Sequence, residues 1–148
     1  MNLPPFELPQ SFVGLATGAD QHPAHAYEQA RTLIEESAPL EAIAILDEAL
    51  SADPSSTGLR TLRAWAYFKS AQLGRAESDL NELVEAGPTD VWARFALGRV
   101  LERQSRYADA LPHLRLAAVM SGDPEHEAGV LRVERRLAEV SGSLEDLA

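Results

Sequence analysis

The sequence predicts an all-α fold of helical hairpins stacked in series. Three observations carry this reading: apolar residues recur at helical spacing, residue classes return with a period of 34, and a breaker or polar cluster divides each period in two. Ala42, Ala76 and Ala110 keep the period, as do Leu46, Leu80 and Leu114, while Ala30, Ala64 and Gly98 form a third register. Leu33, Tyr67 and Leu101 add a fourth, and Leu50, Val84 and Ala118 a fifth, with no insertion between copies. Registers that stay in phase over three copies specify a repeat architecture, because each hairpin has an apolar face that only a neighbour can cover.

The first helices of the copies are predicted over Ala24–Glu36, Thr57–Ser70 and Asp90–Gln104. The second helices follow over Leu40–Ala52, Leu73–Glu85 and Arg106–Met120. Pro54 and Pro88 stand just after second helices, where a residue without an amide hydrogen separates one helix from the next. Pro112 falls inside the sixth helix and is expected to remove a backbone bond and kink the axis. Asp123, Pro124 and Glu125 supply a cap, a first-turn proline and a first-turn acid for a seventh helix ending near Val140. That helix puts Val130, Val133, Leu137 and Val140 on one face and Arg132, Glu134, Arg135, Arg136 and Glu139 elsewhere, as a terminal cap would. Ser141-Gly142-Ser143 is expected to fray.

Composition excludes several function classes. The 148-residue chain has no cysteine, so disulfides, thiolate zinc sites and a cysteine nucleophile are ruled out. Its 23 acids against 13 Lys and Arg leave a net charge of −10, which repels nucleic acid and anionic membrane surfaces. The first fifteen residues lack the basic front and apolar run of a secretory signal, and charges interrupt every apolar stretch well short of the roughly 20 residues a membrane helix needs. A soluble, cytoplasmic protein is expected, and the richness in Ala, Leu and Arg is compatible with a bacterial source. No catalytic constellation stands out. His22, His25, His113 and His126 have no metal-site spacing, and the Gly14–Gly18 segment lacks the lysine of a nucleotide loop. The expectation is therefore a protein that is not an enzyme and takes no cofactor.

These registers resemble the tetratricopeptide repeat (TPR) family over about two thirds of the chain. The family's small first-helix residue matches Ala30, Ala64 and Gly98, and its small second-helix residue matches Ala42, Ala76 and Ala110. Its later large residue matches Leu46, Leu80 and Leu114, the following alanine matches Ala49 and Ala117, and the closing proline matches Pro54 and Pro88. Departures include Ala26, Arg60 and Arg94 where tryptophan is frequent, Gln29 and Arg63 where leucine is usual, and Leu83 in place of an alanine. The resemblance implies a right-handed α-solenoid. Its parts are an N-terminal Pro-containing extended arm over 1–22, repeats over 23–56, 57–90 and 91–124, a capping helix over 125–140 and a flexible tail over 141–148.

The resemblance also implies that first helices line a concave peptide-binding groove. Carried onto this chain, the groove residues are Tyr27, Arg31 and Ile34, then Thr61, Trp65, Phe68 and Lys69, then Trp92, Phe95, Arg99, Glu102 and Arg103. Independently of any family, each set recurs every three or four residues and so projects from one side of its helix. Aromatics and arginine are enriched at interface hot spots, and exposed aromatics forgo burial worth roughly 1.5–3 kcal/mol each, so a wall of them implies a partner. The competing reading is that Trp65, Phe68, Trp92 and Phe95 pack between hairpins as core. Glu41, Asp47, Glu48, Glu77, Asp79, Glu82 and Glu85 on the second helices are expected to form a solvated back.

The leading expectation is an interaction adaptor or assembly chaperone that takes an extended protein segment carrying apolar side chains and a carboxylate. Members of the family that bind heat-shock protein tails hold the terminal carboxylate with a lysine, asparagine and arginine clamp. The corresponding places here are Tyr27, Arg31, Leu62, Trp92 and Ala96, of which only Arg31 is a charged donor, so that mode is disfavoured. The alternative is a homo-oligomerisation scaffold. Leu3, Phe6, Leu8, Phe12, Val13 and Leu15 make the arm apolar, and Glu7 lies among them, so the arm is a candidate occupant of its own or a neighbour's groove.

Overall fold

The structure, a computed structural model, describes residues 21–145. Within them all regular secondary structure is helical: α1 (Gln21–Glu35), α2 (Pro39–Ala52), α3 (Thr57–Lys69), α4 (Leu73–Ala86), α5 (Val91–Arg103), α6 (Tyr107–Ser121) and α7 (Pro124–Glu145). The arm and its suggested docking lie outside the described residues, apart from the first residues of α1.

Helix ends follow local chemistry. Ser56 Oγ accepts from the Leu59 amide at 3.3 Å, Asp90 Oδ1 from Ala93 at 3.0 Å, and Asp123 Oδ1 from Glu125 at 2.8 Å. Each satisfies an amide with no intrahelical acceptor and contributes about 1 kcal/mol. α1 starts ahead of the predicted Ala24, since Pro23 sits in the first turn where no amide hydrogen is needed. α6 runs unbroken through Pro112. α7 continues through the Ser-Gly-Ser stretch expected to fray, where Ser143 Oγ donates to the Glu139 carbonyl at 3.0 Å. Serine and glycine lower helix propensity without forbidding helix, and the segment keeps its i−4 bonding partners.

The described residues fall in two compact units, one ending at Ser70 and one beginning at Ala71. In the first, α1 packs on α2 and α3, and α2 on α3. Its core holds the register residues Ala30, Ala42, Leu46, Leu50 and Ala64. In the second, α5 packs on α4 and α6, and α6 on α7. Ala76, Leu80, Ala110, Leu114 and Val133 form its core. The acids of the second helices are not all solvated. Asp79 is buried and half-buried Glu77 takes Arg106 at 2.8 Å, whereas Asp47 takes Arg63 of α3 at 2.8 Å and stays exposed.

The 34-residue period also appears in the backbone. Ser37, Ala71 and Ser105, each just past a first helix, adopt left-handed φ values of 65°, 59° and 60°. Around two of them the closing bonds are present: Ala38 to the Leu33 carbonyl at 2.7 Å, and Arg106 to the Leu101 carbonyl at 2.9 Å. This is the turn in which glycine is favoured, and a side chain there costs about 1 kcal/mol. Ala71→Gly and Ser105→Gly are each expected to raise stability by roughly 0.5–1 kcal/mol, after allowing for the greater unfolded-state freedom of glycine. An upward shift of the urea midpoint checks this, and a downward shift in both variants contradicts it.

At Gly98 the helices approach more closely than a side chain permits. A Cβ there would lie 2.5 Å from Leu114 Cδ2 and 2.6 Å from its Cγ, and Leu114 is fully buried with nowhere to retreat. Gly98→Ala is expected to destabilise by about 1–2 kcal/mol through overpacking, despite alanine's better helix propensity. In the double variant with Leu114→Ala this overpacking cost disappears. Denaturation of all four members of the cycle measures the coupling, and strictly additive effects would contradict the close approach.

Candidate functional site

In the first unit, Tyr27 and Arg31 stand on α1 while Trp65, Phe68 and Lys69 stand on α3, and the two helices pack together. The Trp65 and Phe68 rings stack with centroids 5.6 Å apart and planes 9° from parallel. Lys69 Nζ lies 5.5 Å from the centroid of the Trp65 ring, a cation over an aromatic face. Spacing on one helix produces this group: residues 65, 68 and 69 share a face, and the lysine stem reaches back along it. Trp65 keeps only 9% of its surface accessible, Phe68 is half-buried and Lys69 is exposed. What meets solvent is thus the margin of a stacked pair with an ammonium beside it.

Arg31 is held between two acids of its own helix, with Nη2 2.9 Å from Glu28 and Nη1 2.9 Å from Glu35. All three side chains are exposed, so these pairs contribute less than about 1 kcal/mol and exchange readily for another carboxylate. Tyr27 is half-buried; burial raises its phenol above the ordinary value, Glu28 adds to the shift and Arg31 opposes it. Ile34 is buried and packs as core, and Thr61 is buried with its hydroxyl donating to the Thr57 carbonyl at 2.8 Å. Neither stands on a solvent-facing wall.

The second unit differs from the expected wall. Trp92 is half-buried and Arg103 exposed, but Phe95 and Arg99 are buried. The cause is α7. The His126 ring lies 4.1 Å from the Phe95 centroid at a 32° tilt, and a Cβ on Gly129 would come 3.3 Å from Phe95 Cε2. Gly129 therefore lets α7 settle on the ring, and Ser121 Oγ fixes the imidazole through a 2.7 Å hydrogen bond to Nδ1.

Beside this ring lies an ionic cluster. The Arg99 guanidinium is 5.8 Å from the Phe95 centroid, with Nε 3.3 Å from Glu102 Oε2. Glu102 is already engaged, since Arg132 of α7 donates to Oε1 at 2.6 Å and to Oε2 at 2.9 Å. Burial pushes the Arg99 guanidinium below its ordinary value, Arg132 adds to that and Glu102 opposes it, yet an arginine stays charged at neutral pH. Arg132 was expected among the outer residues of the cap. Its role was not legible because a long side chain at the edge of an apolar face reads as solvated until its neighbour is known. Glu134 likewise meets Arg115 of α6, at 2.6 Å.

Among the described residues, no group of three or more His, Asp or Glu is placed to hold a metal, and no helix is long and apolar enough to cross a membrane. By class the described residues form an all-α helical-repeat fold. Residues 33–94 match a family model described as Tetratricopeptide repeat, and the fold is similar to that of solved tetratricopeptide-repeat domains. The first TPR domain of Spaghetti (RPAP3), solved with an HSP90 peptide, aligns at 22% identity with a TM-score of 0.76, covering 81% of this chain and 96% of that one. The Sgt2 TPR domain from Aspergillus fumigatus aligns at 19% identity and a TM-score of 0.75, over 90% and 87% of the two chains. The second TPR domain of human RPAP3, in complex with an HSP70 peptide, aligns at 16% identity and 0.72, over 79% and 98%. No curated protein sequence matches the chain.

Glu102 is the acid that balances two guanidinium groups with little solvent around it: its side chain is 11% exposed, Arg132's 21% and Arg99's 3%. Glu102→Gln removes the carboxylate that both cations contact and is expected to destabilise by roughly 3 kcal/mol. Equilibrium unfolding in urea measures this, and a loss below about 0.5 kcal/mol, the size of an exposed pair, would contradict the account.

Proposed function

We propose that the chain is a protein-interaction adaptor that captures an extended segment of a partner through aromatic and cationic residues of its first helices. The single observation behind this is the Trp65–Phe68 stack with Lys69 over the indole: a flat apolar platform, accessible along its margin, with a cation at the water edge. Such a platform accepts an apolar side chain against the rings and a carbonyl or carboxylate at the ammonium. Contact residues in the first unit are Tyr27, Arg31, Trp65, Phe68 and Lys69, and in the second Trp92 and Arg103. Ile34 and Phe95 are buried.

The peptide-bound neighbours support a peptide ligand in general. The residues here favour one unlike a heat-shock protein tail. At the places of the carboxylate clamp, Leu62 and Ala96 are buried and apolar, and Arg31 is already paired with Glu28 and Glu35. No bare cluster of donors awaits a terminal carboxylate at those positions.

Random 12-residue peptides displayed on phage and selected on the full chain supply a probe whose affinity is then measured by calorimetry. Phe68→Ala and Lys69→Gln are each expected to weaken it about tenfold or more, the effect of a hot-spot residue, while Glu48→Gln on α2 leaves it unchanged. Unchanged affinity in both site variants, with helicity intact by circular dichroism, would remove the assignment.

A further inference from the structure

We infer that the outer face of the α6–α7 hairpin binds its own counterpart on a second copy of the chain, in a two-fold pairing centred on Leu131. The face is apolar where a solvated one should be polar. On α6, Leu116, Val119 and Met120 are 39%, 82% and 36% exposed, and on α7 Leu131 is 66% exposed. The three α6 residues are spaced three and four apart, so they share one side of the helix. Arg115 of α6 meets Glu134 of α7 at 2.6 Å, which ties that side to the next helix. The two helices are joined across residues 122 and 123 and run in opposite directions. Val119 lies one turn past Arg115 and Leu131 one turn before Glu134, so the two stand side by side, nearer the connection than the ion pair. The four apolar side chains thus form one patch.

The repeat itself marks this patch as unusual. One and two periods earlier, Leu116 corresponds to Glu82 and Glu48, Val119 to Glu85 and Ser51, and Met120 to Ala86 and Ala52, all of them exposed. The third repeat presents large apolar groups where the other two carry acids or small residues. Such a row forgoes burial in the isolated chain and marks an interaction surface.

Charge identifies the occupant. Glu127 and Arg135 stand one turn on either side of Leu131, and both are exposed. Glu134 is balanced by Arg115, and Asp123, farther out, is turned to the Glu125 amide as the α7 cap. Around Leu131 acid and base are therefore equal, in a chain whose net charge is −10. A strongly basic or acidic partner finds no opposite surplus there, but the face complements itself. A two-fold axis at Leu131 sets two α7 helices antiparallel, with each Leu131 against the other and each Glu127 opposite Arg135 of the second copy. Every contact of one residue with another then recurs with the copies exchanged, as a closed dimer requires. None of the residues proposed to contact a peptide lies on α6 or α7, so the inference stands apart from the adaptor reading.

Sedimentation equilibrium of the full chain tests the pairing. A reversible monomer–dimer transition is expected with a dissociation constant on the order of 10–100 µM, since the interface is small. Leu131→Asp places two carboxylates at the axis and is expected to leave only monomer. Glu127→Arg and Arg135→Glu each set like charges opposite one another twice, and each is expected to weaken the dimer about tenfold or more. Mixed in equal amounts, these two single variants are expected to pair with each other. The double swap, with both substitutions on one chain, is expected to recover wild-type association. A chain that stays monomeric up to about 1 mM, well above the range of a weak specific interface, overturns the inference. So does a dimer indifferent to the charge variants, or a failure of rescue in either the mixture or the double swap.

Discussion

Helices in this protein lie as close together as their smallest residues allow. Leu114 of α6 occupies the space a side chain on Gly98 of α5 would need, and the equivalent Ala30 and Ala64, with the small second-helix residues Ala42, Ala76 and Ala110, are all buried. Close approach of backbones maximises dispersion contact and leaves no room for water, so the relative rotation of packed helices is fixed. That rotation decides which side of each first helix remains for other uses. On α3 it leaves residues 65, 68 and 69 at the margin, and on α5 it leaves residues 92 and 103. The surface chemistry thus depends on a steric choice made in the core.

The last helix imposes a second constraint. A terminal repeat must cover its apolar face, and α7 does so with Val133 buried inside and Gly129 against Phe95. In covering that face it also draws Arg132 onto Glu102. The acid that would otherwise serve Arg99 is then shared, and Arg99 remains a charge within the fold. Packing and electrostatics are coupled here: removing the small residue at position 129 would lift the helix that holds the arginine.

Much of this fold was legible because its cause is periodic. Five apolar registers in phase predict three helical pairs, and the observed helices follow them with small shifts at most ends. The longer α7 was missed because serine and glycine read as breakers at the end of a chain. The site was legible only in part. Spacing places Trp65, Phe68 and Lys69 on one face of α3, and the structure stacks them. Spacing cannot tell whether another helix lies over a face, so Phe95 and Arg99 read as exposed although α7 covers them. Two signals were present in the sequence, the glycine at 129 inside an amphipathic helix and the surplus of arginine over acid on α5. Neither specifies its partner without the three-dimensional arrangement.

The central claim is that binding belongs to the first helices of the repeats. Hydrogen–deuterium exchange of the full chain, with and without a saturating selected peptide, tests it without altering a residue. Slowed exchange is expected at α1, α3 and α5, with little change at α2, α4 and α6. Protection confined to the second helices would contradict it.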